Sequence, residues 1–228
     1  AASRLAKRVG GGIVGINLGA NKDSVDRIAD YAMGFAKLAP YASYVTVNIS
    51  SPNTPGLRGL QNREELERLL SVVTEARAKS GLNVPILLKI APDLDDRALD
   101  DIAQVFTASR IEGLIATNTT LARPQSLRST QRGEAGGLSG APLFAPSTEI
   151  LRKLRQRVGS TAAIVGVGGI ASGADAYAKI RAGANLVQLY SALVFEGPGL
   201  VTRIKRELLA LLDRDGLPRV TDAVGRDL

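Results

Sequence analysis

Short apolar runs rich in Val, Ile and Leu alternate along the chain with longer amphipathic stretches. The short runs have the length and β-branched content of buried strands, and the longer stretches repeat their apolar residues with the 3.6-residue period of a helix. The predicted strands lie at 13–17, 44–49, 85–90, 113–118, 162–167 and 185–190. The predicted helices lie near 22–38, 62–80, 94–108, 146–157, 172–182 and 198–213.

Residues that cap helices flank several of these stretches. Short polar side chains can accept a hydrogen bond from the first free N–H groups of a helix, and glycine tolerates the left-handed backbone that ends one. The predicted N-caps are Asp23 or Ser24, Asp93 or Asp95, Ser147, and Ser172. The predicted stops are Gly81, Gly159 and Gly183.

Apolar strands that are each followed by a helix pair in parallel through right-handed crossovers. An open doubly wound sheet and a (β/α)8 barrel both satisfy this order. The barrel is favoured because nearly every predicted strand ends in polar or glycine-rich residues, and a barrel gathers all of these ends around one mouth. We therefore predict an α/β fold in which residues 1–228 form the last six units of one (β/α)8 TIM barrel domain. The first two strands are expected before residue 1, and 120–145 is predicted to form a loop over the mouth.

Composition restricts the chemistry of this chain. It has 45% hydrophobic, 4% aromatic and 22% charged residues, which is ordinary for a globular protein with an aliphatic core. Cys and His are absent from these 228 residues. Within them, disulfides, thiolate nucleophiles, common zinc sites, iron–sulfur clusters and Ser-His pairs are therefore excluded. Redox chemistry here would need an organic cofactor.

The net charge of +7 would suit an anionic partner, yet the basic residues are scattered along predicted helices beside acidic ones. This arrangement is typical of solvated helix faces, and no aromatic residues interleave with the basic ones to stack on bases. We predict no nucleic-acid partner. No apolar run approaches the length of a membrane span, which is about 20 residues.

Amides and hydroxyls crowd the ends of the predicted strands. The densest group is 48–58, directly after an apolar run, and Asn17 and 117–120 add further donors and acceptors. Such a set suits a planar, amide-rich ligand, although each residue alone is more often a turn or cap residue. Ser51 has no His among these 228 residues, so a hydrolase triad within them is excluded. Its alternative role is a loop hydroxyl that caps a helix or turn.

Lys89 and a glycine cluster indicate an anionic ligand. Lys89 ends an apolar strand, where its positive charge would stabilise a reduced flavin. Alternatively, its ammonium reaches the solvent at the rim or pairs with Asp93. The glycines of 166–169 follow a strand and let backbone N–H groups approach a phosphate, or else they serve only a tight turn. Tyr190 and Ser191 close the next strand, and the last two strands of a barrel are its usual phosphate cradle.

Seven ordered motifs make the chain resemble the quinone-linked, class 2 dihydroorotate dehydrogenase family. They span 15–19, 48–58, 89–93, 117–120, 136–140, 166–169 and 187–190. The resemblance implies a (β/α)8 barrel that binds FMN at its mouth and oxidises (S)-dihydroorotate to orotate in pyrimidine synthesis. Related class 1 enzymes carry Cys where this chain has Ser51, so this position favours the quinone-using branch.

The resemblance also implies roles for individual residues. Ser51 is the implied base that removes the C5 proton of dihydroorotate, and Thr54 is the implied relay for that proton. Implied substrate contacts come from Asn48, Asn53, Asn118 and Thr119. Implied FMN contacts come from Asn17, Asn48, Lys89 and Thr117 near the ring, and from Gly140, Gly168, Gly169, Tyr190 and Ser191 at the phosphate end.

The implied partners are dihydroorotate, orotate and a membrane quinone, and the implied protein is a monomer. The family contacts the membrane through N-terminal helices that are expected before residue 1. The implied location is peripheral, on the cytoplasmic side of a bacterial inner membrane or at the mitochondrial inner membrane of a eukaryote. One alternative is a related FMN barrel that reduces a different pyrimidine or uridine in RNA. Another is a basic surface without catalysis that binds nucleic acid or anionic lipid.

Overall fold

The structure is a computed structural model that describes residues 1–54 and 56–228. Within these residues, six strands form one parallel sheet in sequential order, as expected when each crossover passes through a helix. The strands are β1 Gly15–Leu18, β2 Tyr44–Asn48, β3 Ile86–Ile90, β4 Gly113–Ala116, β5 Ala163–Val167 and β6 Leu186–Gln188. Each predicted strand overlaps an observed one.

Helices connect and cover these strands. The α-helices are α1 Ala2–Ala6, α2 Arg27–Leu38, α3 Arg63–Ser80, α4 Asp96–Ala108, α5 Phe144–Val158, α6 Gly173–Arg181, α7 Ser191–Glu196 and α8 Gly199–Arg214. Short 3-10 helices occupy Ala39–Tyr41, Leu57–Gln61, Ala141–Leu143 and Val220–Ala223. The short helix α7, directly after β6, was not predicted. None of the helices in the described residues is both long and apolar enough to cross a membrane.

Side-chain caps fix several helix starts. Asp95 accepts a hydrogen bond from Ala98 N and Ser172 accepts one from Asp175 N, which confirms both as predicted caps. The prediction of Asp23 or Ser24 was wrong, because Asp26 caps α2 through its bonds to the first free N–H groups of that helix.

Ser147 was also wrongly predicted as a cap. Helix α5 begins three residues earlier, at Phe144, after the 3-10 turn that contains Pro142. Ser147 lies inside the first turn with its side chain buried. Gly81 and Gly159 end α3 and α5 as predicted. Ala182 is the C-cap of α6, and Gly183 follows it with a left-handed φ of 115°.

The sheet has two faces with different partners. Because successive side chains of a strand point to opposite faces, Val45, Val47 and Leu88 pack outward into the main core beneath the helices. Leu87, Ile115 and Val165 point inward and form a second, smaller cluster with Tyr44 and Val167. The parallel registers pair Ile115 with Val165, and Leu87 lies two residues before Lys89, which pairs with Ile115.

The sheet curls into a half-barrel rather than a closed barrel. In the described residues β1 pairs only with β2 and β6 pairs only with β5, so the sheet does not close on itself. A closed barrel of this fold has eight strands, and the six observed here are the six that were predicted for residues 1–228. Leu186 on β6 is 64% exposed, and it shares the inner face because its Cα pairs with that of Val165. The inner face is thus open at one side of the sheet.

Residues 120–140 form the long connection that follows β4. Thr120 and Leu138 pair in an isolated antiparallel bridge, and the guanidinium of Arg123 donates to the carbonyls of Glu134 and Gly136 at 2.8 and 2.7 Å. The observed loop is shorter than the predicted 120–145, because the 3-10 turn at Ala141–Leu143 and helix α5 follow it directly.

Candidate active site

A cavity of about 450 Å³ opens where β3, β4, β5 and β6 end. It is lined by nine of the residues predicted to form the site, namely Lys89, Thr117, Asn118, Thr119, Gly140, Gly168, Gly169, Tyr190 and Ser191. Since the strands are parallel, their carboxyl ends meet at one rim, and the structure brings these nine residues together there. Ligand cavities in barrels of this kind lie at this face.

Lys89 is a half-buried cation on the inner face of β3. Its Cα lies between those of Asn48 on β2 and Ile115 on β4. Burial lowers the pKa of its ammonium, and no carboxylate or hydrogen-bond acceptor in the described residues offsets this effect. The suggested pairing with Asp93 is absent here, because Asp93 pairs with Arg58 at 2.8 Å. A desolvated ammonium without a partner favours an anionic or strongly accepting ligand.

A hydrogen-bonded group of polar side chains borders Lys89. The fully buried Ser50 hydroxyl lies 2.9 Å from both Asn48 Oδ1 and the Lys89 carbonyl oxygen. The Asn118 amide donates to Asn48 Oδ1 at 3.2 Å and to the Ser50 oxygen at 3.1 Å. Because Asn48 uses its oxygen in these bonds, its NH2 group is the part of the amide left to donate to a ligand.

The loop after β2 carries Ser51, Asn53 and Thr54 beyond the cavity lining. Ser51 Oγ accepts a bond from the Asn53 N–H at 3.3 Å, so it forms the serine turn that was its alternative role. Asn53 is exposed, Thr54 is half-buried, and the neighbouring Pro55 of the predicted motif lies outside the described residues.

The long connection after β4 contacts this Ser51 loop. A side-chain carbon at Gly137 would overlap Thr119 and come within 2.8 Å of Pro52 Cγ. A carbon at Gly136 would come within 3.4 Å of Asn53 Oδ1. The connection therefore packs on Thr119 and on the loop that carries Ser51, next to the cavity, where a loop over the mouth was predicted.

Glycines form the opposite wall of the cavity. Gly168 and Gly169 have φ values of 116° and 71°, a left-handed backbone that favours glycine. Neither of their N–H groups has a backbone acceptor in the described part of the chain. The Ser139 and Ser191 hydroxyls lie 2.7 Å apart and join the long connection to the start of α7. This wall presents free donors, as a phosphate site requires.

Asn17 lies apart from the cavity lining. It occupies the inner face of β1, where its Cα pairs with that of Thr46, and its side chain is exposed at the open side of the sheet. Its predicted place at the end of a strand was nearly right, since β1 extends one residue further to Leu18.

The family model for dihydroorotate dehydrogenase matches residues 2–212. The chain belongs to the dihydroorotate dehydrogenase family. A relative from Xanthobacter autotrophicus, named dihydroorotate dehydrogenase (quinone), is 56% identical over 95% of this chain and 62% of its own length. A relative of the same name from Rhodospirillum rubrum is 52% identical over 99% of this chain and 62% of its own length.

Solved structures of dihydroorotate dehydrogenase share the fold. The ligand-free enzyme of Eimeria tenella superposes with a TM-score of 0.94 at 38% identity, covering 99% of this chain and 69% of that one. Its complex with ferulenol gives a TM-score of 0.91 at 38% identity, covering 94% of this chain and 62% of that one. The chain thus spans about three fifths of the length of the curated relatives that it matches.

Sequence reasoning missed an ion pair that joins three loops of this chain. The Arg58 guanidinium donates to Asp93 at 2.8 Å and to the Thr119 carbonyl at 3.0 Å, while Asp93 also accepts bonds from the Thr120 hydroxyl and the Leu121 N–H. Arg58 lies in the 48–58 motif, which was the available signal. Its charge fixes the loops after β2, β3 and β4 relative to each other.

Ser50, whose hydroxyl bonds both Asn48 and Asn118, was also missed, although it lies next to Ser51 in the same motif. Sequence spacing could not separate the two serines, because both follow the strand directly. Lining residues of α7 such as Phe195 and Glu196 were missed because that helix was not predicted.

Proposed function

We propose that this chain forms most of the catalytic domain of a quinone-linked dihydroorotate dehydrogenase, as the last six units of an FMN-binding barrel. The reaction is the oxidation of (S)-dihydroorotate to orotate, with a quinone as the final acceptor, in pyrimidine synthesis. One observation carries the proposal: nine residues that the family resemblance assigns to substrate or cofactor line a single cavity at the carboxyl ends of the strands. Family membership and the names of the curated relatives support it.

The donors of the cavity fit FMN. Reduced flavin carries negative charge near N1 and O2, and Lys89 is a half-buried cation that lacks an acceptor among the described residues. A phosphate needs several N–H donors, and those of Gly168 and Gly169 have no backbone acceptor. The two sets of donors belong to one cavity, as an elongated ligand with a ring at one end and a phosphate at the other requires.

In this proposal Lys89, Thr117, Asn48 and Asn17 hold the ring of FMN. Gly140, Gly168, Gly169, Tyr190 and Ser191 hold its ribityl phosphate. When bound, FMN supplies a two-electron acceptor that can pass its electrons on to a quinone.

Asn48, Asn53, Asn118 and Thr119 bind and orient dihydroorotate. Asn48 and Asn118 are held in fixed orientations by their bonds to each other and to Ser50, so the free NH2 group of Asn48 is aligned before the substrate arrives. Thr119 joins this set because its N–H donates to Asn118 Oδ1 at 2.8 Å. Fixed amides of this kind suit the carboxylate and ring amides of the substrate.

Ser51 Oγ takes the C5 proton of dihydroorotate as it gives its own hydroxyl proton to Thr54 in one concerted step, so the serine stays neutral, and Thr54 passes a proton on toward solvent. In the structure Ser51 Oγ already accepts a bond from the Asn53 N–H at 3.3 Å. That bond fixes the position of the Ser51 oxygen in its loop. The connection that carries Gly136 and Gly137 lies on the Ser51 loop and helps to exclude water from it.

We also infer that the protein is a monomer that associates peripherally with the membrane that holds its quinone. For a bacterial source this is the cytoplasmic face of the inner membrane. The membrane contact is assigned to residues of the longer relatives that lie outside this chain.

The test is flavin reduction in the full-length protein. The purified protein should contain FMN, lose its flavin absorbance when dihydroorotate is added without oxygen, and regain it when a quinone is added. Failure to bleach a protein with bound FMN would refute the function.

Ser51→Ala tests the base. We expect bound FMN to be retained and the rate of its reduction by dihydroorotate to fall by about 10²-fold or more, the usual contribution of a positioned base. Ser80→Ala is a matched control, since Ser80 Oγ also accepts an N–H bond from the residue two positions later. Ser80 ends α3, away from the cavity, and the control should reduce at the wild-type rate.

A further inference from the structure

A buried lysine lies behind the glycine wall of the cavity. Lys179 on α6 has no exposed surface, which is rare for a lysine without a carboxylate partner. Its ammonium donates to Ser147 Oγ at 2.5 Å and to the Phe144 carbonyl at 3.3 Å, and it lies 5.0 Å from the centre of the Phe144 ring. No ion pair involves it in the part of the chain that the structure describes.

The partners of Lys179 belong to the first turn of α5. Ser147 accepts the bond from the lysine, so its single proton is free to bond the Leu143 carbonyl at 2.7 Å. Lys179 and Ser147 together therefore fix how this first turn lies against α6.

The glycine wall packs directly on that turn. A side-chain carbon at Gly168 would lie 2.6 Å from Ser147 Oγ, and one at Gly169 would lie 2.5 to 2.7 Å from Cβ, Cα and N of Phe144. Contacts this close leave no free space between the wall and the helix, so a shift of the turn moves the wall. The N–H groups of both glycines, which lack backbone acceptors, move with it.

We propose that Lys179 is a positioning residue for phosphate recognition: through Ser147 and Phe144 it holds the first turn of α5 against Gly168 and Gly169, so that their N–H groups face the phosphate. This inference rests on the proposed function, because the phosphate is that of FMN.

Packing alone offers a different role for Lys179. Its side chain could serve only to join α5 to α6, and then its loss would affect every ligand of the cavity equally or none at all. Phosphate recognition predicts a selective loss instead. FMN and riboflavin share the same ring and ribityl chain, and only FMN carries the phosphate, so the ratio of their affinities isolates the phosphate contribution.

The experiment measures dissociation constants of FMN and riboflavin for the full-length protein after removal of its flavin. Lys179→Met is compared with Ser147→Ala, which keeps the lysine and removes only the hydroxyl that links it to the turn. Lys153→Met on α5 is the control, because Lys153 is a surface residue paired with Asp96 at 3.1 Å. We expect the preference for FMN over riboflavin to fall about tenfold in Lys179→Met, to fall less in Ser147→Ala, and to stay unchanged in the control.

Each outcome separates the inference from the proposed function. If the wild-type protein binds no FMN, the proposed function fails. If the wild-type protein prefers FMN but both variants keep its full preference, the function stands and the role of Lys179 is overturned. If Lys179→Met folds too poorly to be measured, Ser147→Ala decides the matter, because an unchanged preference in that variant also overturns the role.

Discussion

The stability of this protein should rise with pH between about 7 and 10 because of Lys179. Burial lowers the pKa of Lys179 from 10.5 to about 7, and the nearby Asp175 carboxylate offsets only part of this effect. Across this window the unfolded chain keeps a proton that the folded protein has released. The free energy of unfolding therefore increases as pH rises. The cost of burying the charge is complete below pH 7 and disappears above the unfolded pKa.

The magnitude follows from the difference between the two pKa values, which is about 3.5 pH units. A difference of one proton between the folded and unfolded states changes the free energy of unfolding by about 1.4 kcal/mol per pH unit. Most of the change falls between pH 7 and 10, where we expect it to reach roughly 3 kcal/mol. This is a large share of the stability of a typical domain.

The assay is urea unfolding of the full-length, flavin-free protein at pH 7, 8, 9 and 10, followed by circular dichroism. The quantity compared is the free energy of unfolding of wild type minus that of Lys179→Met at each pH. The subtraction isolates Lys179, because every other group titrates equally in both proteins. Burial also raises the pKa of Tyr31, which lowers stability at high pH. Both proteins contain Tyr31, so its contribution cancels when their free energies of unfolding are subtracted. Lys153→Met again serves as the control, and its pH dependence should parallel that of wild type.

Parallel curves for wild type and Lys179→Met would contradict this reasoning. They would show that the folded protein keeps the charge of Lys179 at alkaline pH, and so that water or an acceptor reaches its ammonium. A wild-type curve that falls relative to Lys179→Met as pH rises from 7 to 10 would be a stronger contradiction, because the sign itself would be wrong.

Three further changes test other parts of the structure. Gly137→Ala should displace the long connection, because its new carbon overlaps Thr119, and should weaken dihydroorotate binding in steady-state kinetics, while Gly133→Ala, which meets open space, should not. Lys89→Met should lower the reduction potential of bound flavin by about 30 mV or more in spectroelectrochemistry, and an unchanged potential would place Lys89 away from the ring. Asp95→Ala should cost about 1 kcal/mol of stability in thermal unfolding, because it removes the cap of α4.

The elements of the fold could be predicted because their signals are local. Runs of Val, Ile and Leu mark strands that are buried on both faces, and each predicted strand overlaps an observed one. The gathering of polar residues at one rim was also predictable, since parallel strands bring their carboxyl ends together and nine predicted residues line one cavity. Helix starts were less certain, because several Asp and Ser residues stand near each start. Asp26 rather than Asp23 or Ser24 binds the free N–H groups of α2.

The partners of charged side chains could not be predicted. Lys89 and Asp93 are four residues apart, yet Asp93 pairs with Arg58, which is 35 residues away in sequence. Periodicity places Lys179 beside the buried Ala176, three residues earlier on α6. The sequence does not show that its ammonium reaches Ser147, which is 32 residues away.

By itself, the sequence determined the order of strands and helices, the parallel pairing, and the rim at which polar side chains collect. Hydrophobic periodicity and chain connectivity carry that information over short stretches. Only the tertiary structure decided that Lys89 lacks a partner among the described residues, that Ser50 joins Asn48 to Asn118, and that Lys179 lies behind the glycine wall. These facts depend on which atoms of distant elements come within about 3 Å of each other, and packing sets such distances only once the whole sheet has curled.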